Sequence, residues 1–133
     1  MIRKLLFIVI LCAGCIKDPP TGLTTVTGTW TLRTVDGNPL PVTISGSGAN
    51  QTQIISDVIG LLEGNGYNQQ TVTRVTVNGQ ATDQRTVVTG NYGLQGNSVI
   101  LVKSPENSQK IGVVDGSGAM TIPEGGVAKV YRK

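Results

Sequence analysis

The 133-residue sequence contains no histidine, so it lacks the side chain that most often serves as a base near neutral pH. Histidine-based catalytic triads and histidine-ligated zinc or haem are therefore excluded. Acidic residues are also few, and no pair of them has a spacing that forces two carboxylates into one site. We therefore expect no enzyme activity and no cofactor. Carboxylates in or beside proposed turns are interpreted as solvated: Asp36, Glu63, Glu106, Asp115 and Glu124.

Cysteine is scarce as well, because the chain has only Cys12 and Cys15, both near its start. Basic residues are not clustered: Arg3 and Lys4 account for part of the net charge of +3, and no Lys or Arg patch stands out after them. Nucleic-acid binding is therefore not indicated. With no cysteine after Cys15, the sequence predicts a domain without an internal disulfide.

The N-terminal segment has the layout of a secretory signal. Arg3 and Lys4 precede an unbroken apolar run over residues 5–11, and Lys17 follows soon after it. A helix needs about 20 apolar residues to cross a bilayer core of about 30 Å, so this run is too short to span a membrane. The pattern favours a cleaved signal peptide over residues 1–14.

Residues 11–15, Leu-Cys-Ala-Gly-Cys, resemble the lipobox of bacterial lipoproteins, in which the cysteine after a small residue is acylated. The resemblance implies a protein anchored to the bacterial cell envelope through lipid on Cys15, and Ile16 in place of Asp indicates the outer membrane. Stable attachment needs more than one acyl chain, which this pattern implies. The alternative is an ordinary secretory signal cut near Gly14, with Cys15 incidental.

The rest of the chain predicts a lipidated tether over residues 15–27, stiffened by Pro19 and Pro20, and one domain over residues 28–133. Abundant Thr, Val, Gly, Asn and Gln favour strands and turns. Short connections make antiparallel neighbours, so the fold class is all-β, an up-and-down meander closing into a barrel of about eight or nine strands. The proposed strands cover residues 28–35, 40–45, 53–62, 67–77, 80–94, 98–103, 109–114, 119–122 and 127–132.

One segment has two interpretations. Apolar residues in 53–62 recur at helical spacing, and Gly64 could end a helix there. Gly60 and the β-branched residues oppose a helix, and a strand is favoured.

The Asn78-Gly79 turn fixes the pairing of its two strands, since a two-residue turn places Thr73 opposite Gln84. The uncharged face of this hairpin is then expected to point inward. Thr73, Gln84, Thr86 and Tyr92 lie on that face and are the candidate ligand-binding residues of a partly solvated cavity. Alternatively, the long strands overhang the barrel and both of their faces near the turn are wet.

Gly28-Thr29-Trp30 resembles the Gly-x-Trp signature of lipocalins, and Arg132 matches the basic residue that packs over that tryptophan in the family. The resemblance implies a lipocalin-like barrel closed near Trp30 and Arg132. The opening blocks, residues 28–32 and 35–41, also resemble META-type envelope domains.

The expected function is a non-enzymatic, membrane-anchored envelope lipoprotein that binds a small hydrophobic or amphipathic molecule in its barrel. The alternative is a structural or protein-interaction module of the envelope, whose barrel is filled by its own side chains. No metal, cofactor or nucleic acid is expected.

Overall fold

Ten β-strands form the part of the chain that the structure describes, residues 25–133, in a computed structural model. The expected signal peptide, Cys15 and most of the expected tether lie outside the described residues. Within residues 25–133, no helix is long and apolar enough to span a membrane. The strands are β1 (Gly28–Val35), β2 (Asn38–Pro39), β3 (Val42–Ser47), β4 (Asn50–Leu61), β5 (Gly66–Val77), β6 (Gln80–Gln95), β7 (Ser98–Lys103), β8 (Gln109–Val114), β9 (Ala119–Glu124) and β10 (Val127–Arg132).

The sheet closes on itself. Strands β4 to β10 are antiparallel neighbours in chain order, and β1 joins the two ends by pairing with both β10 and β4. Eight strands therefore form a closed antiparallel barrel, while β2 and β3 are additional edge strands. This confirms the predicted all-β meander that closes into a barrel.

Most predicted strands match the structure closely. The segment with two interpretations is a strand, β4, as favoured. The strand predicted over residues 40–45 corresponds to β3, which begins only at Val42; the two-residue β2 ends at Pro39, and Leu40 and Pro41 lie between the two strands. Proline has no N–H to donate to a sheet, so it interrupts the pairing there.

The β5–β6 hairpin has the predicted register, with Thr73 opposite Gln84 and Val77 opposite Gln80. Asn78 and Gly79 both have positive φ, 51° and 78°, as the two central positions of a type I′ turn require. This hairpin is longer than the barrel wall, and residues 80–87 are all exposed.

A β-bulge in β4 changes which residues face the interior. Ile54 is opposite Thr73 and Ser56 is opposite Val72, so Ile55 is an extra residue on its strand. Ile54 is buried before the bulge, and Asp57 and Ile59 are buried after it. The buried positions therefore change from even to odd numbers at Ile55.

Buried aromatic and aliphatic side chains pack together at one end of the barrel. The members of this core include Trp30, Leu32, Ile59, Leu61, Tyr67, Tyr92, Val99, Leu101, Met120, Ile122 and Tyr131. Val26 joins them at 3% exposure and accepts a hydrogen bond of 2.8 Å from Trp30 Nε1. The last residues assigned to the tether therefore pack on the barrel.

Lys133 is the cation that lies over Trp30, with Nζ 5.4 Å from the centre of the ring. Its ammonium group also donates to the Thr25 carbonyl at 2.9 Å. Arg132, expected in this position, donates instead to the Ser117 carbonyl at 3.3 Å. Tyr131 pairs with Leu32 and faces the interior, so the adjacent Arg132 faces the other side of the sheet. The cation over the indole is therefore Lys133, two positions after Tyr131.

Candidate functional site

A layer of polar side chains lies directly above the apolar core, inside the barrel. Four of its members occupy the inward position next to a core residue on their own strand, as Gln69 follows Tyr67 and Lys129 precedes Tyr131. Every buried polar side-chain atom among the described residues has a hydrogen-bond partner. We call this set the polar layer; it consists of Asp57, Gln69, Lys110, Glu124, Lys129 and Tyr131.

Asp57 is the most deeply buried charged group of the layer, with no exposed surface. Gln69 Nε2 donates to both of its carboxylate oxygens, at 2.8 and 2.9 Å, and the Tyr131 hydroxyl donates to Oδ2 at 3.0 Å. Lys129 Nζ lies 3.7 Å from the same oxygen. Burial raises the pKa of Asp57 above its ordinary value, although these donors and the lysine work against the shift.

Glu124 is held between two ammonium groups. Its Oε1 is 2.9 Å from Lys110 Nζ, and its Oε2 is 3.1 Å from Lys129 Nζ. Burial acts to raise the pKa of Glu124, but the two lysines outweigh it and the pKa lies below its ordinary value. The glutamate side chain is still 35% exposed, so it borders solvent. The interpretation of Glu124 as a freely solvated turn residue is therefore corrected.

Lys110 and Gln69 complete the layer. Lys110 Nζ donates to Gln69 Oε1 at 3.3 Å, which fixes the orientation of the glutamine amide toward Asp57.

Tyr131 is buried deep in the barrel. Its burial is the largest cause of a pKa far above the ordinary value, and the negative charge of Asp57 is the next. Tyr131 therefore acts as a hydrogen-bond donor throughout the physiological pH range.

Above the polar layer the barrel is open. Two adjoining cavities of about 410 Å³ each share Ile44, Ile54, Glu124 and Lys129 in their walls. One extends along the inner face of the β5–β6 hairpin, and the other lies beside β2, β3 and the start of β10. The first has a mixed wall, in which hydroxyl groups and lysines stand beside aliphatic groups: Gln69, Thr71, Thr73, Thr86, Val88, Lys103, Ser108 and Lys110.

The structure brings some of the expected ligand-binding residues together and separates others. Thr73 and Thr86 both line the first cavity. Gln84 lies beyond its wall, on the exposed part of β6 that extends past the barrel. Tyr92 lies at the filled end, where its hydroxyl donates to the Leu62 carbonyl at 3.1 Å. The hairpin therefore borders a cavity as far as Thr86 and is an exposed overhang from there to the turn, and ligand binding by these residues stays a prediction.

Sequence reasoning did not select the polar layer. Strict alternation from Tyr67, Ile122 and Tyr131 would have placed Gln69, Glu124 and Lys129 inside the barrel. These residues are charged or polar, so their composition argues against the interior position that alternation indicates. The signal for Asp57 is weaker: alternation back from Leu61 and Ile59 places it inside, but the bulge at Ile55 puts Ile54 out of step with these positions.

Comparisons with known proteins give no match: no family model, no curated protein and no solved structure matches this chain.

Proposed function

We propose that this protein is a membrane-anchored lipoprotein of the bacterial cell envelope whose barrel binds a small amphipathic anion. The observation that carries the proposal is the position of Glu124, whose carboxylate sits between the ammonium groups of Lys110 and Lys129 at the floor of an open cavity. The protein's own carboxylate occupies the place that a ligand's anionic group would take.

The charges around the cavity favour an anion over a cation. Three lysines, Lys103, Lys110 and Lys129, line the first cavity, and Glu124 is the carboxylate among its lining residues. Lys103 is paired with Glu106 at 2.9 Å, so Lys110 and Lys129 are the cations that displacement of Glu124 would release. Because Glu124 is partly exposed and precedes the Gly125-Gly126 turn, its side chain can turn toward solvent and release both lysines. Asp57 keeps Lys129 in position from below.

The remaining wall suits a ligand with a short apolar part. Ile44, Ile54 and Val88 supply aliphatic surface, while the hydroxyl groups of Thr71 and Thr73 can donate or accept hydrogen bonds. In small-molecule sites, polar groups placed beside apolar surface fix the orientation of the ligand. The filled core below limits the ligand to the upper half of the barrel.

Calorimetric titration with two probes of equal tail length and opposite charge tests the ligand class. We expect octanesulfonate to bind and octyltrimethylammonium not to bind. Glu124→Gln should tighten sulfonate binding because it removes the competing carboxylate, whereas Lys129→Gln should weaken it. Arg85→Gln, on the exposed overhang, is the matched control and should leave the affinities for both probes unchanged. Preference for the cation, or an unchanged affinity in Lys129→Gln, would contradict the proposal.

Membrane anchoring is supported by the lipobox-like residues 11–15, which lie outside the described residues. Cys15→Ser should abolish labelling by a fatty-acid analogue and release the protein from the membrane fraction of a bacterial host. Cys12→Ser is the matched control and should leave both unchanged. Membrane retention of the Cys15 variant would exclude acylation at this residue.

A structural or interaction module is the second candidate, favoured by an apolar strip on the outer barrel wall. Ile111 and Val113 on β8 are 48% and 49% exposed, and Ile100 pairs with Ile111 on the neighbouring strand. A strip of this kind is a candidate docking surface. Loss of function in Ile111→Ser with unchanged sulfonate binding would favour this candidate.

A further inference from the structure

Strand β6 has an unpaired edge over residues 80–88. On one side these residues pair with β5 along their whole length, but pairing with β7 begins only at Gly90. In the part of the chain that the structure describes, no other strand lies along this edge. Residues 80–87 are all exposed. An edge of this length presents a row of backbone N–H and C=O groups to which another strand can pair.

The groups that face this edge can be identified. The Thr89 carbonyl accepts a hydrogen bond of 3.0 Å from Ser104 N, on the side away from β5. Because hydrogen-bonding direction alternates along a strand, the N–H and C=O groups of Ala81, Asp83, Arg85 and Val87 face the same side. The pairing of β6 with β5 has no register shift, so this alternation is unbroken.

We propose that β6 pairs with β6 of a second copy of this chain, antiparallel, about a two-fold axis at Gln84. In this register Asp83 lies opposite the partner's Arg85, and Arg85 lies opposite the partner's Asp83. Opposite charges directly across a strand pair are stabilising. Ala81 lies opposite the partner's Val87, so the outward-facing backbone groups form about eight hydrogen bonds between the copies.

The ion pair already present within one copy strengthens the match. Arg74 donates to both oxygens of Asp83, at 2.7 and 2.9 Å, from the strand on the other side. In the dimer each Asp83 would therefore lie between two guanidinium groups, one from its own chain and one from the partner. The four charges on the two β6 strands would all be paired.

Charge also excludes the neighbouring arrangements. Moving the two-fold axis by one residue places Asp83 opposite Asp83 or Arg85 opposite Arg85, which like charges disfavour. The other edge strands, β2 and β3, carry no charged residue and so offer Asp83 and Arg85 no partner. The sequence Asp83-Gln84-Arg85 thus selects one register and one partner, a second copy.

Two charge-reversal variants test the pairing by analytical ultracentrifugation of the full chain with Cys12 and Cys15 changed to Ser. Arg85→Asp and Asp83→Arg each place like charges opposite one another in their own homodimer, so each should raise the dimer dissociation constant about tenfold or more. An equimolar mixture restores both opposite-charge pairs and should dimerise. A mixture that stays monomeric, or a parent chain that is monomeric at every concentration, overturns the proposal.

Disulfide trapping tests the axis itself. Residues opposite each other at a non-hydrogen-bonded position have Cα atoms about 4.5 Å apart, within reach of a disulfide. In the same cysteine-free background, Gln84→Cys should therefore cross-link efficiently. Thr82→Cys and Thr86→Cys should each fail alone and cross-link when mixed. Equal trapping at all three positions, or assemblies larger than a dimer, would overturn the proposed register.

Discussion

The amide nitrogen of Gln69 lies 2.8 and 2.9 Å from the two carboxylate oxygens of Asp57, a residue with no exposed surface. The two residues belong to neighbouring strands, and their contact lies where the apolar core ends and the open part of the barrel begins. A buried carboxylate needs such donors, since burial of an unpaired charge is costly. Gln69 thus has two roles: it stabilises the buried Asp57 carboxylate, and it lines the cavity above the core.

Asp57→Ala should destabilise the protein by about 3–5 kcal/mol, the usual cost of removing one partner of a buried charge pair. The substitution removes the acceptor of Gln69 Nε2 and of the Tyr131 hydroxyl, and it leaves Lys129 paired with Glu124 alone. Urea unfolding measures the loss. Ser56→Ala, the adjacent residue on the same strand, is the control and should cost far less. If Asp57→Ala lowers the free energy of unfolding no more than Ser56→Ala does, the hydrogen bonds of Asp57 do not stabilise the fold as proposed.

The opposite pKa shifts of Asp57 and Glu124 predict opposite effects on acid stability. The folded pKa of Asp57 is raised above 3.8, so this group adds stability as pH falls through its folded pKa toward 3.8. The folded pKa of Glu124 is lowered below 4.5, so its contribution is present above pH 4.5 and is lost as pH falls.

Asp57→Asn should therefore make the loss of stability on acidification steeper, and Glu124→Gln should make it shallower. Urea midpoints measured across the acid range for both variants and the parent provide the check. Shifts of the same sign in the two variants would contradict the assigned directions.

Gly90→Ala should be strongly destabilising, because a Cβ at this position would meet the Val102 carbonyl oxygen and lie 2.7 Å from Tyr67 Cε1. Gly93, on the same strand, has open space around its missing Cβ, so Gly93→Ala is the matched control. We expect that control to be neutral or to gain stability by up to about 1 kcal/mol through the unfolded chain. Thermal unfolding of the Gly90→Ala and Gly93→Ala variants distinguishes them. Equal melting temperatures would mean that β7, which carries Val102, moves away from the added Cβ at little cost.

Lys133→Gln should change the fluorescence of Trp30, the only tryptophan in the chain, because the ammonium group lies over its ring. The expected loss of stability is small, about 0.5–1 kcal/mol for an exposed cation on an aromatic face. Arg132→Gln is the control and should leave the emission spectrum unchanged. A larger spectral change in the Arg132 variant would restore the pairing expected from the lipocalin resemblance.

The fold could be predicted from the sequence because its turns are explicit. Asn78-Gly79 fixes a register over two whole strands, and the structure has that register. The strand boundaries of β1, β7, β8 and β10 follow for the same reason, since Gly, Asn and Asp mark their ends.

The candidate site was only partly predictable. Thr73 and Thr86 follow from the hairpin, but the distance at which β6 leaves the barrel wall depends on where β7 ends, and this excluded Gln84 from the cavity. The inward position of Glu124 depends on Lys110 and Lys129 from two other strands. No local pattern shows that these three charged residues from separate strands will come together.

The bulge at Ile55 adds a residue to β4 without changing which side chains enclose the interior on either side of it. Ile54 and Asp57 keep their partners on β5 whichever way the extra residue is accommodated, so loss of Ile55 would straighten the strand without moving the carboxylate out of the interior. Relatives of this protein can therefore differ by one residue here and still enclose the same charge. In an alignment, the gap belongs between Ile54 and Ser56, and an aspartate should be sought two positions past it.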